Sequence, residues 1–468
     1  MSKKKLTFLS IVLLTINSII GTGIFLSPGS VTVLAGDKAP LLYLVASILA
    51  IVLAITFASA AKYVKKGGAA YAYAKAAFGD NIGFYVGITR FVASCIAWGV
   101  MATGTVKTAL SIYGADSTDF QLITIGFIIL MLIMLLINLS GIRIVTFLNN
   151  LSTIGKVAAL VTFILCGGVF VVLTGENHFS DVMELTTNTG APLIPPMDIS
   201  LFVTATLAAF YAFTGFESVA TGSEDMENPE KDLPRALPIA ILIIAFLYIG
   251  IVVIAMLLNS KVLVETKEVV VLASLFQNGI LRNIILYGAL ISMFGINVAA
   301  SFCTPRILES LAEEKQAPKI FTYRTNLQCP LYATILTILF AIALPLSFQY
   351  DMTNIIVLSS LSRFIQFIVV PLAVLSFYYR RHKEKIIESA SKNFITDVII
   401  PILAFCFSFF LIIKFDWVSH FCLLSPQGEQ IINIGAITAV IISYIVLPLL
   451  LFIWKLNKEK VEAKKIAS

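Results

Sequence analysis

Few side chains in this sequence could do chemistry, and those that could stand where they are costly. Lys156 lies roughly ten residues, or about 15 Å of helix axis, into an apolar stretch. An ammonium at that depth costs about 2.5–3.5 kcal/mol on insertion scales unless it is paired or deprotonated. Glu217 closes Tyr211-Ala-Phe-Thr-Gly-Phe-Glu217 inside another apolar stretch, where a carboxylate must face water, a partner or a proton. Groups so placed suit holding a counter-charge or moving a proton. The sequence has no His-x-x-x-His pair, no Cys-x-x-Cys pair and no nucleophile–base constellation. His178, His382 and His420 are scattered, and the six cysteines fall mostly within apolar segments, where they read as small packing residues. A membrane enzyme is disfavoured, and no metal or other cofactor is expected.

The remaining chemistry is in the backbone. Asn17-Ser-Ile-Ile-Gly-Thr-Gly-Ile-Phe-Leu-Ser-Pro28 lies in an apolar run from about residue 6 to 35, with Gly21-Thr22-Gly23 at its middle. Broken backbone in hydrocarbon strands N–H and C=O groups unless protein or a water-filled cavity covers them. A half-helix starting near Ile24 would aim its free N–H groups and positive dipole end at such a cavity, a place for a carboxylate. Read alone, Gly-x-Gly is also the mark of close helix packing. A second interruption falls at Gly215, beside Glu217. Five spans separate the two, so their helices run in opposite directions. Broken helices at corresponding positions of antiparallel halves point to a transporter site at a repeat interface.

These groups have to be positioned by membrane helices. The chain has 468 residues, 58% hydrophobic and 13% charged, with a mean hydropathy of +0.94. Soluble domains carry about 25% charge, so an all-α integral membrane protein is expected. Twelve apolar segments can be drawn, near 7–35, 40–62, 82–113, 120–141, 146–174, 198–223, 236–259, 282–305, 330–348, 353–379, 394–414 and 431–454. A β-barrel would alternate over about ten residues and is excluded. Lys3-Lys-Lys5 before an apolar run imitates a secretory signal, but the run is too long and reads as a retained first span. With both termini cytoplasmic, about 24 of the 33 basic residues fall inside, which makes the net charge of +6 a topology signal and gives no reason to expect nucleic acid. The Ala/Tyr/Lys stretch 69–79 suits an amphipathic helix along the interface. Arg90 is near enough to a span end to snorkel, and Trp98 is deep enough to wall a cavity or pack in a core. Asp232 and the prolines around it are placed to start the seventh span, and Arg363 sits in the tenth with a partner the sequence does not name.

Taken in order, several motifs resemble the amino acid–polyamine–organocation superfamily of secondary transporters. They are Ile20-Gly-Thr-Gly-Ile-Phe25, Gly67-Gly-Ala-Ala-Tyr-Ala-Tyr with Ala77-Phe-Gly79, and Phe213-Thr-Gly-Phe-Glu217. Glu227-Asn-Pro-Glu-Lys-Asp-Leu-Pro-Arg235 and Arg306 with Leu311-Ala-Glu-Glu and Pro318 complete the set. The resemblance covers roughly the first 330 residues and implies twelve transmembrane helices in a five-plus-five inverted repeat like the leucine transporter, with helices 1 and 6 broken. Residues 1–174 would be the first repeat, 198–380 the second, 394–455 two extra helices and 456–468 a basic cytoplasmic tail. It implies amino acid transport across the inner (cytoplasmic) membrane by alternating access. The substrate carboxylate would meet the backbone at Gly21, Thr22 and Gly23, and the amine the carbonyls of Ile19, Tyr211 and Thr214. Tyr211 or Phe213 would cover the substrate, and Glu217 would be a gate or proton-linked element. A fifth-span lysine such as Lys156 implies proton coupling or exchange in place of sodium symport.

One departure bears on the substrate. Exchangers of arginine and agmatine grip a long cationic tail with large aromatic and polar groups. Here the aligned eighth span reads Gly295-Ile-Asn-Val-Ala-Ala300, with Asn297 its polar residue and Trp98 opposite in the third span. The mapping favours a neutral amino acid; glutamate/GABA-type or cationic antiport are the alternatives, with Arg90 and Arg363 open as anion contacts. A channel, which needs rings around a pore, and a non-transporting amino acid sensor are the readings from other classes. Monomer and homodimer are both compatible with the sequence.

Overall fold

The computed structural model describes residues 7–467 apart from 65–68, 141, 176, 187–189, 222–225, 266–269, 277–278, 327–328, 389 and 425–429. Lys3 to Lys5, Lys65, Lys66, the motif glycines Gly67 and Gly68, and Glu224 with Asp225 therefore lie outside the described residues.

Helices fill the apolar segments. A broken pair opens the chain, α1 (Phe8–Ile19) and α2 (Gly23–Ala35), and a single tight turn leads into α3 (Ala39–Tyr63). Then come α4 (Ala70–Phe78), α5 (Asp80–Ile112), α6 (Phe120–Leu139) and α7 (Ile142–Thr174). A second broken pair, α8 (Ile199–Tyr211) and α9 (Phe216–Thr221), precedes α10 (Pro229–Asn259). The single turns α11 (Val262–Glu265) and α12 (Val271–Ser274) lead to α13 (Gly279–Glu313) and α14 (Leu331–Ser347). The tenth segment is itself interrupted, into α15 (Met352–Leu361) and α16 (Phe364–Tyr378). The chain ends with α17 (Ile400–Lys414), α18 (Trp417–His420), α19 (Ile434–Ile441) and α20 (Leu447–Ala467). Between α18 and α19, strands β1 (Cys422–Leu424) and β2 (Gln430–Ile432) pair antiparallel, Cys422 opposite Ile432. Among the described residues, nine helical stretches are long and apolar enough to cross a bilayer, and α1, α8 and α14 are shorter apolar helices. This is a multi-pass membrane protein.

Helix starts follow local chemistry. Asp119 accepts N–H bonds from Gln121 and Leu122 at 2.8 and 2.9 Å, and Asp198 and Asp351 cap α8 and α15 in the same way. α10 starts earlier than the apolar pattern indicated, at Pro229, so Asp232 lies within it and Pro234 and Pro238 are interior. Small residues set the packing, as expected where helices gain little from excluding water. On α7 and α13, Gly155, Gly288 and Gly295 leave no room for a Cβ against the facing helix.

α4 is more enclosed than an amphipathic surface helix would be: Ala70 to Ala74, Ala76 and Ala77 are buried, and Gly83 and Gly87 of α5 admit Lys75 and Tyr71 at close range. A helix with alanine on most faces can be enclosed on all sides, so its apparent amphipathicity misleads. Lys75 meets Asp80 at 3.1 Å and Glu314 at 3.2 Å, tying α4 to the start of α5 and the end of α13.

At the end of α3, Lys62 donates to Asp397 at 2.7 Å, with side chains 5% and 0% exposed. Ser59, Tyr63 and Thr396 hydroxyls and the Asn393 N–H complete the carboxylate's shell at 2.8–3.0 Å. Removing one member of such a pair strands a buried charge. Asp397→Ala should lower unfolding stability by about 3–5 kcal/mol, whereas a double change of Lys62 and Asp397 to apolar residues should cost less. Unfolding of the purified protein in detergent checks this, and an Asp397→Ala midpoint equal to wild type would contradict it.

Candidate substrate site at the paired helix breaks

At the first break, Ile20 leaves the helical region (φ −68°, ψ 94°) and α2 resumes at Gly23. The N–H groups of Phe25 and Leu26 both turn to the Thr22 carbonyl, at 3.0 and 3.1 Å. Among the described contacts, the N–H groups of Gly21, Thr22, Gly23 and Ile24 have no backbone acceptor. They form the positive end of α2's dipole.

The second break tightens before it opens. Ala212, Phe213 and Thr214 bond to carbonyls three residues back, at 3.1, 3.0 and 3.3 Å. Gly215 then takes φ +120°, a conformation L side chains rarely adopt. Its N–H donates to Glu217 Oε2 at 2.9 Å.

The two breaks touch. Ser18 Oγ donates to the Gly215 carbonyl at 3.0 Å, and the hydroxyls of Thr22 and Tyr211 are 3.3 Å apart. A Cβ on Gly23 would come within 2.6 Å of Ala212 Cα, and one on Gly215 within 2.6 Å of the Ser18 carbonyl. Against Gly21 lies the side chain of Ile296 from α13. Thr22 is only 2% exposed.

Lys156 reaches the first break from α7 and is 6% exposed. Its Nζ donates to the Ile20 carbonyl at 2.7 Å, Asn17 Oδ1 at 2.9 Å and the Asn17 carbonyl at 3.2 Å. Three acceptors match the three N–H bonds of an ammonium. Two are carbonyls at the negative end of α1's dipole, where a cation is favoured. Lys156 does not snorkel.

The other expected contacts divide. Phe213 packs between Tyr43 and Tyr248, with ring centroids at 6.4 and 5.4 Å. The Tyr248 hydroxyl reaches the Ile19 carbonyl at 3.5 Å. The Tyr211 carbonyl already accepts the Thr214 N–H and hydroxyl, so Thr214 closes the break on itself. Asn297 bridges Thr105 on α5 and the Met293 carbonyl, with its Oδ1 buried and unpartnered. Trp98 is fully buried in a second apolar cluster with Phe127, Met131, Val298 and Tyr350, apart from the main core that holds Phe213 and Tyr211. Its neighbours there come from α6, α13 and the α14–α15 connection. Arg90 faces inward, within electrostatic range of Glu217, Tyr73 and Arg363. Sequence reasoning left the partner of Arg363 unnamed: it is Glu217 Oε1. The charge of Arg363 within an apolar run was the available signal.

A family model described as "Amino acid permease" matches residues 6–447. The chain belongs to the amino acid permease family. With it comes membership of the amino acid–polyamine–organocation superfamily whose motifs the sequence carries. The chain is 38% identical to an uncharacterized transporter of Mycobacterium tuberculosis (strain CDC 1551 / Oshkosh), over 96% of this chain and 94% of that one. It is 28% identical to the serine/threonine exchanger SteT of Bacillus subtilis, over 88% of this chain and 90% of that one. Against the branched-chain amino acid permease BcaP of the same organism, identity is 26% over 89% of each chain.

Gly215 is the most exacting position of the site. Gly215→Ala should destabilise the fold by about 1–3 kcal/mol, since the methyl meets both an unfavourable φ and the Ser18 carbonyl. Thermal unfolding in detergent tests this, and an unshifted midpoint would show that the break relaxes freely.

Proposed function

We propose that the protein is a secondary active transporter that moves neutral amino acids across the cytoplasmic membrane by alternating access. In this reading twelve spans cross the bilayer with both termini cytoplasmic, and the first ten form two inverted repeats, residues 1–174 and 198–380. The observation that carries it is the pair of touching breaks: free N–H groups at Gly21 to Ile24 can clasp a carboxylate. The Thr22 and Tyr211 hydroxyls and the Ile19 and Thr214 carbonyls line the same junction for the amine. Phe213 covers it, and side chains of α5 and α13 around Asn297 set the fit. Two named relatives, an exchanger of serine and threonine and a permease of branched-chain amino acids, handle neutral substrates, which supports the same class here.

Lys156 supports exchange or proton-coupled uptake over sodium symport. Its ammonium occupies the carbonyls where a bound metal cation would otherwise sit, at the C-terminal end of α1. Transport leaves the substrate unchanged, so the same molecule should be recovered on both sides, which distinguishes a carrier from an enzyme.

Uptake of a labelled amino acid panel into proteoliposomes, with and without internal amino acid and a pH gradient, tests the proposal. Saturable flux stimulated by internal amino acid is the expected result for an exchanger; binding without flux would identify a sensor, and non-saturable flux a channel. Lys156→Ala should insert and fold yet lose most uptake, roughly ten-fold or more, because the Asn17 and Ile20 carbonyls lose a charged donor. Wild-type rates in that variant would remove Lys156 from the mechanism.

A further inference from the structure

Arg363 is given no role in the substrate contacts proposed above. It stands at the α15–α16 interruption, where the Ser362 N–H bonds to the Leu358 carbonyl and the Arg363 N–H to that of Ser360, at 2.8 and 3.2 Å. Its Nη1 donates to Glu217 Oε1, and the two side chains are only 13% and 5% exposed. The other oxygen of Glu217 takes the Gly215 N–H at 2.9 Å, and the Gly215 carbonyl takes Ser18 Oγ at 3.0 Å. A polar string therefore runs from the interrupted tenth segment, through the break of the sixth, to the break of the first. Lys156 holds the other side of that first break from the fifth segment.

We infer that Arg363 is a positioning residue for transport: through Glu217 it braces the second break from span ten as Lys156 braces the first from span five, and the pair must part for α9 to move. The inference rests on the transporter reading, in which spans five and ten each close one repeat. The chemistry of each brace follows from what the break exposes. Beside the first break the loose groups are carbonyls, which an ammonium bonds directly. At the second break the loose groups include the Gly215 N–H, which no cation can bond. A carboxylate accepts it, and that buried carboxylate in turn requires a cation. Glu217 is thus an adaptor between an N–H and a guanidinium, with Arg90 and Tyr73 facing the same cluster from α5 and α4. The service of Glu217 as an anchor is distinct from that of a proton carrier.

The test uses the full chain in proteoliposomes and in a background whose six native cysteines are replaced by serine. One readout is exchange of labelled L-serine and L-leucine. The other is maleimide labelling of Ala220→Cys, a position on α9 that is fully buried with the tie closed. Arg363→Ala should cut exchange and raise the labelling rate, each by about ten-fold, while Arg363→Lys should stay within about three-fold of wild type in both. Glu217→Gln should match Arg363→Ala, and the double variant should be no worse than either alone, the mark of two residues acting as one unit. Additive effects, or wild-type labelling and exchange in Arg363→Ala, would overturn the inference. If Arg363→Ala does not fold, the comparison of Arg363→Lys with Glu217→Gln decides: equal labelling in both overturns it. Labelling needs no substrate, so a wild type that carries neither amino acid counts against the neutral-amino-acid reading while the tie is still tested.

Discussion

A peptide group left unpaired where water is scarce must find a partner within the protein, and this requirement governs the centre of the molecule. Both breaks expose backbone that a continuous helix would have satisfied. At the first, Lys156 takes the carbonyls of Asn17 and Ile20. At the second, Glu217 takes the Gly215 N–H, and Ser18 takes the carbonyl of the same residue. What is left over, among the described residues, are short runs of N–H groups at the starts of α2 and α9. The costly charges of the sequence are therefore explained by the backbone they serve, and the leftover donors by what they are free to bind.

The same economy of space shapes the scaffold. The breaks can meet only because Gly23 and Gly215 present no side chain to Ala212 and Ser18. α7 approaches α13 closely through Gly155 and Gly295, which brings Lys156 within reach of α1. Beyond the site, Asp397 fixes the start of the eleventh apolar segment to the end of α3, and Lys75 ties α4 to α5 and α13. The Lys156 brace at the first break and the Lys62–Asp397 tie are thus the same kind of contact: a buried charge matched to polar groups on a neighbouring element.

Much of this was legible in the sequence, and the failures have physical reasons. Helix positions could be read because long apolar runs in a membrane chain have one stable conformation. The breaks at Gly21–Gly23 and Gly215 could be read because glycine in an apolar run is a backbone signal, and Lys156 stood out because a charge within an apolar run is costly. Burial of α4 was not legible: alanine suits an interface and an interior equally. Nor was the identity of partners. Arg363 and Glu217 are 146 residues apart, and only the fold brings them together. For Trp98 the sequence left cavity wall and core packing both open, since depth along a helix does not say which face a side chain is on. The interruption at Ser362-Arg363 lacked the glycine that marked the other two.

The close approach of the two breaks has a mechanical consequence. Gly23 abuts Ala212, and Gly215 abuts Ser18, so the half-helices interlock at two points on opposite sides of their crossing. Neither can slide or swivel alone without driving an atom into the other's main chain. The four half-helices therefore behave as one interlocked unit, whose main borders are with α3, α10 and α15.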